Sequence, residues 1–462
     1  MVFARARANS RRDLQRRDVA DGFRYTSSTG VHDLYRLLLY LIITTGTAAA
    51  NPFFIGRFDG LDAGPTNQSA FAVYWNPAAV AQPGASVHTH LLVVDRQASY
   101  DRVAELNNVT PEWAHINAGK NHTGGTGLVP ALALRYGFDV GGFDIGLGIA
   151  SFVERAGVAH WRRNLGAPSE YPGAVDGSQR WSALNAELLI ASVAGCLGVG
   201  HSDSGLSLGV TPIMNFASLS TISARNPDGS DRVIDDAGRL AEGRMFVDDA
   251  TDRQLGMVVG LRYDGVDDLV FGLTWQKEVI YQLEGQGRLT LGTAEETVID
   301  ARIQLPVAQA VRYGLDWTLS PRWVLRPMIS WVQWSVMERQ QALNLTSGDS
   351  LMDVPREWMD VWSGRLRVDY VVNDALRLSA GGHYERGATP VRTFEPGSSE
   401  ADNWELALGG SLQVSSSLRL SSSFTWQEFA DMNVTNSVNK PLTNGHYTDR
   451  RQYLTVDLEV LL

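Results

Sequence analysis

Cysteine is almost missing from this chain of 462 residues: Cys196 stands alone. That excludes an intrachain disulfide and any multi-cysteine zinc or iron–sulfur centre, and leaves a small buried residue or a free thiol. Beyond the first fifty residues no apolar run approaches the roughly 20 residues of a transmembrane helix, so only strands could take the chain across a membrane. Lysine is scarce, arginine is scattered, and the formal charge is −11. Without a basic face, nucleic acid is excluded as a partner. What the chain does have is glycine (45), tryptophan (13) and tyrosine (14), a composition suited to β-structure with aromatic residues at interfaces. Length alone would suggest two or three soluble domains, a prior that barrels routinely exceed.

Residues 1–50 read as an export signal. Positions 37–47 (LLLYLIITTGT) are apolar but too short to span a bilayer, Ala48-Ala49-Ala50 supplies small residues for cleavage, and Arg5, Arg7, Arg11, Arg12, Arg16, Arg17, Arg24 and Arg36 precede them. The basic part is longer than such a signal needs, as an upstream start codon would make it. Ser10-Arg11-Arg12 superficially matches a twin-arginine signal, but the apolar run begins about twenty residues too late.

After residue 50 the chain alternates. Leu454, Val456, Leu458, Val460 and Leu462 fall on one face, and Tyr453, Thr455, Asp457 and Glu459 on the other, the period of a half-buried strand. Leu255, Met257, Val259, Leu261 and Tyr263 oppose Gln254, Gly256, Gly260 and Arg262, and Leu269, Phe271, Leu273 and Trp275 oppose Gly272, Thr274 and Gln276. Further copies run through Val311, Tyr313 and Leu315, through Leu366, Val368 and Tyr370, through Trp404, Leu406 and Leu408, and through Leu418, Leu420 and Phe424. The apolar face is either the core of a soluble sandwich or the lipid face of a membrane barrel.

The connections favour the barrel. Tight turns at 137–142, 264–267, 320–322, 373–374 and 415–417 alternate with long polar links near 101–127, 154–180, 218–249, 281–304, 339–356, 388–402 and 430–450, as short periplasmic turns and extracellular loops would. The predicted fold is therefore all-β, a transmembrane antiparallel β-barrel of about 14 strands. Trp181, Trp275, Trp317, Trp323, Trp358, Trp404, Trp426 and Tyr453, near strand ends, would form its interfacial girdles. The chain ends in Leu462, where such barrels commonly end in an aromatic residue.

Ahead of the first strand lies Ala70-Phe71-Ala72-Val73-Tyr74-Trp75-Asn76-Pro77-Ala78-Ala79, and on this Asn-Pro-Ala signature the chain resembles the FadL/TodX family of outer-membrane transporters of hydrophobic compounds. Leu305-Pro306, Gly314, Trp323, the run Trp331-Val332-Gln333-Trp334-Ser335, and Asn373-Asp374-Ala375-Leu376-Arg377-Leu378 with Gly381 and Ala388-Thr389-Pro390 extend the likeness. The resemblance implies a signal region (1–50), an N-terminal plug or hatch (51–84) carrying Asn76, Pro77 and Ala78, and a barrel (85–462) in the outer membrane. It also implies passive uptake of long-chain fatty acids, or of aromatic hydrocarbons or alkanes, captured outside and leaving sideways through the wall. The partners would be a hydrophobic small molecule and outer-membrane lipid and lipopolysaccharide around a monomer, with no cofactor and no metal.

A sideways exit requires a break in the strand ladder, for which Gly124-Gly125-Thr126-Gly127, Pro130, Gly141-Gly142 and Pro212 are candidates. Phe53, Phe54 and Phe58 could touch substrate or simply pack the hatch. Arg262, Arg312, Arg365, Arg367 and Arg377, on the polar face, could attract a carboxylate or pair with lumen acids. Enzyme readings fare worse. Gly205-Leu206-Ser207-Leu208-Gly209 matches the nucleophile-elbow pattern but continues a strand, where the elbow needs a sharp turn into a helix. His201, His383 and Ser379 make no recognisable lipase arrangement. Asp235-Asp236, Glu242 and Asp248-Asp249 fit no calcium loop and read as solvated acids. A structural or adhesive barrel remains as the non-enzyme rival.

Overall fold

The computed structural model describes residues 55–104, 116–164, 172–226, 228–292, 294–397 and 400–462. The export signal, Phe53 and Phe54 lie outside the described residues. The strands are β1 (Gly84–Arg102), β2 (Gly119–Val140), β3 (Phe143–His160), β4 (Asn185–His201), β5 (Leu206–Arg225), β6 (Gly243–Val266) and β7 (Leu269–Gln276). Then come β8 (Val279–Thr290), β9 (Thr297–Val307), β10 (Ala310–Ser320), β11 (Trp323–Val332), β12 (Arg339–Asn344), β13 (Ser350–Pro355) and β14 (Val361–Val371). The last are β15 (Leu376–Glu385), β16 (Asn403–Ser415), β17 (Leu418–Phe429), β18 (Met432–Val434) and β19 (Gly445–Leu461).

Among the described residues, the strands β1 to β7, β10, β11, β14 to β17 and β19 pair in that order, all antiparallel. The last returns to the first, from Ser86↔Leu461 to Arg102↔Gly445. The sheet is thus a closed barrel of fourteen antiparallel strands. Closure leaves the sheet without a free edge strand, the condition for strands to stand in lipid. Beyond a short interruption, β8, β9, β12 and β13 form a second tier of hairpins toward the end with the long connections, anchored by β8 on β6.

Side-chain orientation separates the two sequence readings. Leu406 and Leu408 are 62% and 67% exposed on the outer face, whereas Arg367, two residues from Asp369 on the inner face, is 2% exposed. Apolar residues outside and charged residues inside are the reverse of a soluble sandwich.

The loop assignment needs correction. The link expected at 281–304 is mostly strand, β8 and β9, and 339–356 holds β12 and β13. Polar alternation above the membrane was read as loop because these hairpins have no lipid face to mark them. The turns at 137–142 and 264–267 start late: β2 runs to Val140 and β6 to Val266. Three of the expected girdle residues are also placed elsewhere. Trp181 is buried in a connection against Asn117, Trp358 packs edge-on to Trp334 at 5.2 Å, and Tyr453 points into the lumen. Trp317, Trp323 and Trp404 do lie on the outer face.

Candidate functional site

The lumen is occupied near its short-turn end by the segment 55–83. It folds locally because Asn76 closes it: the Oδ1 atom accepts from Ala78 N at 3.1 Å, capping the 3-10 turn Pro77–Val80, and Pro77 supplies the fixed φ that such a start favours. The same amide donates to the carbonyls of Pro65 at 2.7 Å and of Leu261 on β6 at 3.0 Å. Asn76 is fully buried. The preceding helical turn, Ala72–Trp75, is joined to the wall where Thr211 on β5 donates to Val73 O at 2.8 Å.

Backbone meets backbone here because the wall offers glycine. A Cβ at Gly209 would lie 2.3 Å from Pro77 C, one at Gly260 2.0 Å from Asn76 Oδ1, and one at Gly146 2.0 Å from Val80 O. Gly198 and Gly272 are similarly blocked by Pro77 O and Pro65 O. Five consecutive strands, β3 to β7, therefore each present an inward glycine to this segment. Cys196, the lone thiol, is buried beside them, 3.8 Å from Pro77 O.

Aromatic packing fills the space behind. Phe58 is 1% exposed, stacked on Phe71 at 5.5 Å and packed against Tyr74 and against Phe152 of β3. Of the two roles open to Phe58 from sequence, the structure places it in packing: it does not line the cavity described below, and Phe152 of the wall supplies part of the interior that holds it.

Charged residues complete the contact. Asp62 receives Arg367 and Arg377, with Arg326 at 3.9 Å. These cations hold its carboxyl well below the ordinary range, outweighing burial, which alone would raise it. Arg367 also reaches Asp369 and Leu61 O, Arg365 donates to Ala63 O, and Arg57 Nη1 donates to Glu405 Oε2 at 3.0 Å. Of the five arginines singled out from sequence, Arg367 and Arg377 pair with acids and Arg262 pairs with Asp264. Arg365 and Arg312 have no carboxylate within 4 Å among the described residues; Arg312 lies over Trp75 at 5.8 Å and donates to Gln276 at 3.0 Å.

Above the segment a cavity of about 180 Å³ is lined by Trp75, Arg312, Arg365, Met328, Val332 and Trp334, with Arg57, Glu385 and Glu405 at its sides. It adjoins a packed apolar cluster that includes Leu188, Ile190, Tyr281, Leu283, Leu305, Trp334 and Trp358, within which Leu188, Leu305, Trp334 and Trp358 line a smaller pocket of about 60 Å³. In the wall beside the segment the ladder lapses. β2 pairs with β3 only from Leu132↔Ser151 to Val140↔Phe143, and beyond Leu132 the strands meet again at the Thr123↔Trp161 bridge. Pro130 and Gly124 to Gly127 lie in the unpaired stretch, whereas Gly141-Gly142 is a turn and Pro212 is paired to Met257. Across the lapse β3 bulges at Glu154, whose carbonyl accepts from Ile55 N at 3.0 Å and whose carboxylate accepts from Tyr74 at 3.1 Å and Gln276 at 2.8 Å.

Sequence reasoning missed Glu154, Asp62 and Glu405. Each looked like one polar residue among many, and only the cross-lumen partner distinguishes it. The expected acid cluster is likewise not solvated throughout: Glu242 is buried against Arg180 at 2.9 Å, while Asp235 and Asp236 pair with Arg239 and Arg232. Ser207 sits within β5 opposite Arg262, in strand and not at an elbow.

A family model described as outer membrane protein transport protein (OMPP1/FadL/TodX) matches residues 206–455. No curated protein matches. Among solved structures, a Pseudomonas aeruginosa FadL homologue superposes with a TM-score of 0.71 at 16% identity, covering 91% of this chain and 99% of that one. The Ralstonia pickettii toluene transporter TbuX gives 0.61 at 16% identity, covering 87% and 99%. The Pseudomonas putida toluene transporter TodX gives 0.57 at 13%, covering 90% and 95%.

Proposed function

Because this chain belongs to the OMPP1/FadL/TodX family of outer-membrane transport proteins, we propose that it is a passive channel for long-chain fatty acids or closely similar amphipathic molecules. The observation that carries this reading is the junction of two surfaces in one lumen. A packed apolar cluster with a narrow pocket of about 60 Å³ adjoins a cavity where Arg312 and Arg365 lack a carboxylate partner among the described residues. An alkyl chain costs roughly 0.8 kcal/mol per CH₂ in water, so apolar walls that part around it lower the barrier, and a guanidinium receives the head group. No bond need be made or broken.

In this reading substrate enters at the extracellular end and residues 51–84 act as the hatch, fastened by Asn76-Pro77-Ala78. Exit is sideways, through the lapse between β2 and β3. Aromatic hydrocarbons are the second reading, favoured by the likeness to the toluene transporters TbuX and TodX. They would have no use for the two arginines.

The test is uptake of labelled oleate and of toluene by a transporter-deficient bacterium carrying the intact chain, a variant lacking residues 51–84, or Arg312→Gln with Arg365→Gln. Oleate uptake that falls in the double variant while toluene entry does not supports the fatty-acid reading. Toluene entry alone, from a protein verified in the outer membrane, overturns it in favour of hydrocarbons.

A further inference from the structure

At the seam where β19 closes on β1, three side chains from separate parts of the chain converge. Asp59 precedes the turn Gly60–Asp62 and is held at φ 66°. His88 lies on β1 and Asp457 on β19. His88 Nε2 is 3.2 Å from Asp457 Oδ1 and 3.7 Å from Asp59 Oδ1, and one donor atom from each of the three lies within 4.8 Å of the others. We propose that Asp59, His88 and Asp457 form a binding site for a divalent transition metal of the zinc class, which staples the hatch to the barrel seam.

Geometry, outer shell and charge each support it. A tetrahedral ion with bonds of 2.0–2.1 Å sets its ligand atoms roughly 3.4 Å apart; the separations to His88 are 3.2 and 3.7 Å, and the two carboxylates, within 4.8 Å of each other, would close on the ion. Each carboxylate already has a further partner: His90 Nδ1 lies 2.6 Å from Asp457 Oδ1, the oxygen that also faces His88, and Asn67 Nδ2 donates to Asp59 Oδ2, the oxygen turned from His88, at 2.6 Å. Outer-shell partners of this kind are what metal-ligating carboxylates carry. Of the other acids in this lumen, Asp62 and Glu405 face guanidinium groups, and Glu154 accepts from Tyr74 and Gln276. Asp59 and Asp457 have no lysine or arginine within 4 Å among the described residues; the basic groups that face them are imidazoles.

With His88 deprotonated, as a ligand must be, the two buried carboxylates carry two negative charges, and a divalent ion neutralises them. One imidazole nitrogen with two carboxylate oxygens suits zinc. Calcium and magnesium require six or more oxygen ligands, or retained water. Because Asp59 belongs to the hatch and the other two ligands to the wall, the ion holds all three only when the hatch is docked. Binding therefore stabilises the docked state by mass action.

The test uses tag-free, detergent-purified full-length protein stripped with a chelator and titrated with Zn²⁺ against a chromophoric competitor, with Mg²⁺ and Ca²⁺ as controls. One equivalent of Zn²⁺ should bind and raise the unfolding temperature. His88→Gln and Asp59→Asn should weaken binding by about 100-fold or more, and His90→Gln by about 10- to 100-fold. Asp59 is outside the strands, so barrel formation in Asp59→Asn is checked independently by heat-modifiable gel mobility. X-ray absorption of the loaded wild type should give a nitrogen and oxygen shell near 2.0–2.1 Å. Failure of the wild type to bind Zn²⁺, or unchanged binding in both Asp59→Asn and His88→Gln, overturns the proposal.

Discussion

Replacing Asn76 by alanine should release the segment 55–83 from the wall while the strand ladder stays paired. The side chain makes three hydrogen bonds in a fully buried place, to Pro65 O, Leu261 O and Ala78 N. None of the strand pairings depends on it. At about 1 kcal/mol for each bond lost, and more where a buried group is left unpaired, the docked state loses ~3 kcal/mol. Since 1.4 kcal/mol is tenfold, the undocked population should rise by about 100-fold. Hydrogen exchange of the amides of residues 72–80 reads that population directly, with the amides of β16 and β17 as an internal standard that should not change. Asn76→Asp sharpens the test: it keeps the acceptor for Ala78 N but turns a carboxylate toward two carbonyls, so it should exchange faster still. Exchange of residues 72–80 within about threefold of wild type in both variants would refute the claim that this amide fastens the segment.

Three further outcomes follow from the same contacts. Gly260→Ala places a methyl group where Asn76 Oδ1 stands, 2.0 Å away, so single-channel recordings should give a higher open conductance than wild type. Arg367→Leu strips the main cation from Asp369 and one of three from Asp62. It should lower stability by about 3–5 kcal/mol in thermal unfolding, with Arg367→Lys intermediate because an ammonium cannot fork between two partners. Burial raises the Asp59 carboxyl to about 6, against the opposing pull of His88. A carboxyl raised in the folded state contributes stability that is complete below its unfolded value, near 4, and lost as pH rises through about 6. In chelator-treated protein, Asp59→Asn should therefore gain on the wild type between pH 4 and 6, as read by exchange of the hatch amides. A difference constant across that range would argue against it.

The barrel was legible because lipid imposes an alternation that nothing else requires. Leu454 to Leu462 and Leu255 to Tyr263 show it without reference to any partner, and the tight turns at 373–374 and 415–417 mark the strand ends. The second tier was not legible. β8, β9, β12 and β13 stand where no lipid sorts their faces, so their residues read as polar links. The Asn76-Pro77-Ala78 turn could be picked out by its rigid chemistry, but its partners could not, because they are main-chain carbonyls on β6 and in the segment itself. The arginines were found as a class and divided only by structure, since pairing depends on Asp62, Asp369 and Asp264 reaching them across or along strands.

The inward glycines explain why the site and the wall must be read together. In the sequence Gly146, Gly198, Gly209, Gly260 and Gly272 look like weak strand positions, small residues opposite an apolar face. Each costs strand stability, of the order of 0.5–1 kcal/mol relative to alanine, and in the assembled barrel four of them meet main-chain atoms and Gly260 meets the Asn76 amide. Their absent side chains let the segment 65–80 lie flat against five strands at once, which is what brings the Asn76 amide within reach of Leu261 O and Val73 O within reach of Thr211. The same closeness leaves the cavity above it narrow, about 180 Å³, and sets Glu154 where the segment and the lapsed β2–β3 ladder meet. A substitution that lifts the segment from the glycines must therefore also withdraw Tyr74 and Ile55 from Glu154. Docking of the segment and the state of the side wall are, on these contacts, one equilibrium. Simultaneous loss of exchange protection at residues 72–80 and at 152–157 in Gly209→Leu is its signature, and loss at only one of the two would separate them.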